Sequence, residues 1–89
     1  MSYTGIAAKA GATSTNIARL IQRGEGTPGL AARIGTTSTN ITAFVNGRAS
    51  PGIAQALGTT TTNAQALRDA IGREGAIGVI IGLACGMDR

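Results

Sequence analysis

The stretch that decides the fold is GLAARIGTTSTN, residues 29–40, because the chain carries it three times. It recurs upstream as GIAAKAGATSTN, residues 5–16, and downstream as GIAQALGTTTTN, residues 52–63. Self-similarity at an interval of about 20 to 50 residues is typical of tandem repeats in which each copy is one supersecondary unit. We therefore predict three repeats, which span residues 5–28, 29–51 and 52–74.

Each copy is predicted to be a pair of short helices separated by a glycine. In the central copy Leu30 and Ile34 lie four positions apart, as one buried face of a helix requires. Gly35 follows, and a glycine in the left-handed conformation ends a helix at little cost. The hydroxyl of Thr37 can then accept a hydrogen bond from a free amide at the start of the second helix. That helix places its apolar residues, including Phe44, at intervals of three and four.

The same pattern in all three copies predicts an all-α protein of about six short helices, with residues 1–75 forming one compact domain. Residues 76–89 begin with an apolar run, which we expect either to close the core or to form an oligomer interface. The run is shorter than the roughly 20 residues of a membrane-spanning helix, so no membrane span is expected. The side chains proposed for the oligomer interface are Ile77, Ile80, Ile81 and Leu83.

Composition narrows the function classes. The sequence has no histidine and one cysteine, Cys85, so a metal site has no evident ligand set. No nucleophile lies beside a general base, and we expect neither catalysis, nor a cofactor, nor a small-molecule substrate. The formal net charge is +4 and most of the cations are arginines, which favours a phosphate-bearing partner. No signal peptide is evident, and a cytoplasmic location is expected.

The central copy resembles the helix-turn-helix of the lambdoid phage repressor and Cro family, and the likeness extends over residues 15–71. It rests on the small residue Ala31, the turn glycine Gly35, the buried positions Ile41 and Phe44, and the exit Asn46-Gly47-Arg48. The resemblance implies a non-catalytic DNA-binding protein, such as a small transcription regulator, with double-stranded DNA as its partner. In that family the second helix of the motif lies in the major groove.

Carried onto this sequence, the resemblance gives a set of base-facing residues and a set of phosphate contacts. The base-facing residues are Ser38, Thr39, Asn40, Thr42 and Ala43. The phosphate contacts are Arg48 and the capping residues Thr27 and Thr37. Family members usually carry long amide or guanidinium groups at the base-facing positions, and the short side chains here discriminate bases less well.

Three further arginines are candidates for a basic strip on DNA phosphates. Arg19 and Arg23 lie four apart on one predicted helix, and Arg68 lies on another. The alternative is that these side chains are solvated, or paired with Glu25 and Asp69. A different function also stays open: helix pairs that stack on one another could make this chain a structural subunit that assembles into an oligomer or filament.

Overall fold

The computed structural model describes residues 3–86 and confirms the all-α prediction, with six helices and no strand in that range. The helices are α1 (Thr4–Ala10), α2 (Ser14–Arg23), α3 (Pro28–Ile34), α4 (Ser38–Val45), α5 (Pro51–Leu57) and α6 (Thr61–Ala84). They form three consecutive pairs, α1–α2, α3–α4 and α5–α6. The predicted oligomer-interface residues lie in the second half of α6.

The caps predicted from the repeat are present in every pair. Gly11, Gly35 and Gly58 each end a first helix in the left-handed conformation. The hydroxyls of Thr13, Thr37 and Thr60 each accept a hydrogen bond from the amide of the asparagine three residues later. These bonds satisfy one of the free amides at each helix start, which fixes where the second helices begin.

Helix α6 is longer than the sequence predicts because it continues past Gly72. The backbone of Gly72 has φ 73° and ψ −176°, which is outside the helical region, so the helix is kinked there. A positive φ of this kind is accessible to glycine at little cost. Beyond the kink the backbone is helical again. Ile71 packs so closely on Gly75 that a Cβ at residue 75 would lie 2.6 Å from the Ile71 Cβ.

The core is built from aliphatic side chains around Phe44, which is fully buried and is the largest of them. Helix α6 packs against each of the other five helices. Most of its buried residues follow the kink, and they are Ala76, Ile77, Ile80, Leu83 and Ala84. The second half of α6 therefore closes the core, which was one of the two roles expected for the apolar segment. The end of the predicted C-terminal segment, residues 87–89, lies outside the described part of the chain.

Candidate nucleic-acid interface

Helices α3 and α4 form the central helix pair. On α3, Leu30 and Ile34 are buried, and on α4 Ile41, Phe44 and Val45 are buried. The two helices contact each other across the Gly35 turn. The cap of α4 is the bond from the Asn40 amide to the Thr37 Oγ1, at 3.1 Å. Because the buried residues hold one side of α4 in the core, the opposite side faces outward.

One flank of that outward side is covered by the segment that precedes α3. The Thr42 hydroxyl donates to the carbonyl of Ser38 at 2.9 Å and accepts from the amide of Gly26 at 2.8 Å. Gly26 is so close that an added Cβ would lie 2.6 Å from the Ile41 Cβ and 2.6 Å from the Ser38 carbonyl oxygen. The hydroxyl of Thr42 is therefore already engaged within the protein.

The other flank of α4 faces the start of α5. The Asn40 side-chain amide donates to the Thr36 hydroxyl at 3.0 Å. An added Cβ on Gly52 would lie 2.5 Å from the Asn40 Nδ2, so the asparagine fills the space between the two helices. Of the five base-facing positions expected from the sequence, Thr39 is exposed and Ala43 is half-buried between the two covered flanks.

The two threonines expected to contact phosphate differ in accessibility. Thr37 is exposed, although its hydroxyl serves as the α4 cap. Thr27 is 3% exposed, and its buried Oγ1 has no hydrogen-bond partner among residues 3–86. It makes no side-chain cap to α3. This buried hydroxyl is not accessible to a phosphate in the conformation that the structure describes.

Arg68 has a defined place in the fold. Its Nε donates to the carbonyl of Phe44 at 2.7 Å, and its Nη2 donates to the carbonyl of Val45 at 2.8 Å. These are carbonyls at the C-terminal end of α4, where a cation is favoured by the helix dipole. Arg68 is half-buried and ties α6 to α4. Its hydrogen bonds therefore give it a structural role at the site.

Arg19, Arg23 and Arg48 are exposed. Within residues 3–86 no ion pair at 4.0 Å or less joins them to an acidic side chain, and no hydrogen bond engages their guanidinium groups. The alternative that Glu25 or Asp69 pairs with them is not seen in this range. Their charges are free to attract an anion from outside the protein.

Three chain segments that carry arginines meet where α2 ends beside the end of α4. The Asn46 side-chain amide donates to the Gly24 carbonyl at 3.2 Å, which joins the two helix ends. Arg73, which follows the α6 kink, reaches the same point: an added Cβ on Gly24 would lie 2.6 Å from the Arg73 Nη2. Arg23 precedes Gly24 directly, and Arg48 lies two residues after Asn46. We call Arg23, Arg48 and Arg73 the junction arginines.

The phosphate contacts predicted from the sequence do not include Arg73. Its place depends on the kink at Gly72, after which the second half of α6 buries Ala76 and Ile77 in the core. A glycine such as Gly72 predicts the end of a helix, but it does not predict where the following helix lies. The nearby acidic residues Glu25, Asp69 and Glu74 are exposed.

The side chains expected to form an oligomer interface lie in the core of a single chain. Ile77, Ile80 and Leu83 are at most 8% exposed, and Ile81 is half-buried against the core. One copy of the chain therefore covers them without a partner. In this conformation Ile77, Ile80 and Leu83 are not accessible to a partner, whereas part of Ile81 is.

Comparison with protein-family models, with curated proteins and with solved structures gave no significant match. No helix formed by residues 3–86 combines the length and the apolar character needed to cross a membrane. In the same part of the chain, no three His, Cys, Asp or Glu side chains are grouped as a metal site would need.

Proposed function

We propose that the protein binds double-stranded DNA without catalysing a reaction, as a helix-turn-helix protein of the size of a small transcription regulator. The observation that carries the proposal is the meeting, at the C-terminal end of α4, of the chain segments that carry the exposed junction arginines. Arginine forms forked hydrogen bonds that match phosphate oxygens, and contacts of this kind fix a protein on the duplex.

In the proposed complex α4 lies along the major groove, with Thr39 and Ala43 towards the base edges. The junction arginines contact phosphates near the C-terminal end of α4. The short side chains of α4 allow a close approach to the groove, but they offer few hydrogen bonds to bases. Backbone contacts therefore supply most of the affinity. A DNA-binding protein must share a compartment with DNA, which is compatible with the cytoplasmic location expected from the sequence.

The proposal is tested by the salt dependence of binding. Fluorescence anisotropy with a labelled 20-base-pair duplex would give the dissociation constant at several salt concentrations between 50 and 200 mM. Three phosphate contacts predict a slope of log K against log salt of about −2.7, and a loss of affinity of roughly 40-fold over that range. Absence of binding to any duplex at 50 mM salt would refute the proposal.

A double variant, Arg23→Ala with Arg48→Ala, should reduce the steepness of that slope by about 1.8, because two counterion-releasing contacts are lost. The matched control is Lys9→Ala, which removes an exposed cation from α1, outside the junction. For Lys9→Ala, the slope of log K against log salt should change less than it does for the double variant. Equal effects of the double variant and the control would show that only net charge matters and that the junction is not the contact surface.

A further inference from the structure

Helix α2 is the counterpart of α4 in the first helix pair, but its outward side carries different chemistry. The repeat aligns Thr15 with Thr39, Arg19 with Ala43, and Gln22 with Asn46. Where α4 has the methyl group of Ala43, α2 thus has the guanidinium group of Arg19. Where α4 has the internally bonded amide of Asn46, α2 has the amide of Gln22. These are the two groups that make bidentate hydrogen bonds to base edges in the major groove, arginine to guanine and glutamine to adenine.

The outward side of α2 is open to solvent. Ile17 and Leu20 are fully buried and fix the opposite side of the helix in the core. Arg19, Gln22 and Arg23 are exposed, and the helical period of about 3.6 residues places them together with Thr15 on one side. Within residues 3–86 no hydrogen bond occupies the side chain of Arg19 or Gln22.

Two features that restrict α4 are missing from α2. The Thr42 hydroxyl binds the Gly26 amide, whereas the aligned residue of α2 is Ala18, which has no hydroxyl to hold a covering segment. The Asn46 amide donates to carbonyls of Gly24 and Thr42, whereas the side chain of the aligned Gln22 has no hydrogen bond to any described residue. The first pair therefore presents a more open surface with longer polar side chains.

The third pair does not offer this surface. The positions aligned with Arg19 and Gln22 are Ala66 and Asp69. A carboxylate at the second of these would repel phosphates, and Asp69 also accepts a hydrogen bond from Gln65 at 3.0 Å. Among the three aligned helices, α2 alone combines exposure, positive charge and bidentate donors.

We propose that α2, rather than α4, supplies base discrimination in the complex with duplex DNA, with Arg19 and Gln22 facing base edges. The proposal rests on the DNA-binding function proposed above and reassigns Arg19 from the phosphates to the bases. Arg23, at the end of the same helix, stays with the junction arginines on the backbone. Helix α4 then contributes contact along the groove with little discrimination.

The test selects bound sequences from a pool of 30-base-pair duplexes with a randomised centre, and then measures affinity for the selected duplex and for a scrambled one. The unmodified protein should enrich a preferred sequence. Arg19→Ala and Gln22→Ala should each reduce the ratio of the two affinities by about fivefold or more, as expected for the loss of one bidentate contact. Thermal unfolding followed by circular dichroism should be nearly unchanged, because both side chains are exposed.

Arg19→Lys separates a base contact from a phosphate contact. Lysine keeps the charge but loses the fork, so the preference should fall while the salt slope is kept. If Arg19→Ala instead weakens all duplexes equally and Arg19→Lys restores them, Arg19 contacts phosphate and the proposal is overturned. The matched control is Ala66→Arg, which puts an arginine at the aligned exposed position of the third pair and should leave the selected sequence unchanged.

The remaining outcomes distinguish this proposal from the proposed function. Binding to duplexes with no enriched sequence overturns base discrimination by α2 and leaves DNA binding standing. A change of the selected sequence in Ala43→Arg, together with no effect of Arg19→Ala, assigns base reading to α4. No binding to any duplex at 50 mM salt overturns both.

Discussion

Replacing Thr27 with valine is expected to stabilise the protein. Thr27 is 3% exposed and occupies the cap position of α3, but in the described part of the chain its buried Oγ1 has no hydrogen-bond partner. A hydroxyl that leaves water without gaining a partner costs about 1–3 kcal/mol. Valine has nearly the same shape and puts a methyl group where the hydroxyl was. We expect a gain at the lower end of that range, because the new methyl group must fit the same space.

The expected gain is therefore about 1 kcal/mol in the free energy of unfolding, which raises the melting temperature of a domain of this size by roughly 4–8 °C. Urea unfolding and thermal unfolding, each followed by circular dichroism at 222 nm, measure the two quantities. Duplex binding should be unchanged, since the buried hydroxyl is not part of the proposed contact surface.

The control is Thr37→Val, the same substitution at the cap of the next helix. Its hydroxyl accepts from the Asn40 amide at 3.1 Å, so the variant should lose about 1 kcal/mol. The two substitutions are thus expected to have opposite signs. If Thr27→Val destabilises the protein as much as Thr37→Val, the Thr27 hydroxyl has a partner and the reasoning fails.

Three further predictions concern the interface and its supports. Gly26→Ala should destabilise the protein by about 1–3 kcal/mol, because the added Cβ would lie 2.6 Å from the Ile41 Cβ, and an unchanged urea midpoint would contradict this close packing. Arg68→Met should cost about 1.5–3 kcal/mol, since it removes the charge-assisted hydrogen bonds to the end of α4; exposed Arg48→Met is its control in the same unfolding assay. Arg48→Ala alone should make the salt slope for duplex binding shallower by about 1 without changing the selected sequence, and a changed sequence would indicate a base contact instead.

The helix boundaries could be read from the sequence because local chemistry sets them. A glycine in the left-handed conformation and a threonine cap act within one turn of the chain, so Gly35 and Thr37 ended and began helices as predicted. The apolar spacing also gave the buried sides of α3 and α4, including Phe44. In these cases the residues that decide the structure are neighbours in sequence.

What could not be read from the sequence depends on contacts between distant residues. The cover over one flank of α4 is made by Gly26 on Thr42, 16 positions away. The structural role of Arg68 depends on carbonyls more than 20 positions away. No local pattern distinguishes a free arginine from one that binds a distant backbone, and the sequence accordingly grouped Arg68 with Arg19 as a phosphate contact. The DNA-binding assignment itself remains a prediction.

The central place of α6 also bears on how the chain reaches its folded state. During synthesis, α1 to α5 emerge before the helix against which all of them pack. Until it emerges, their apolar sides have no complete surface to cover them, and short helices on their own are marginal in water. The three helix pairs are therefore expected to acquire their structure together, in one cooperative step after translation of α6, rather than one repeat at a time as in a stacked solenoid.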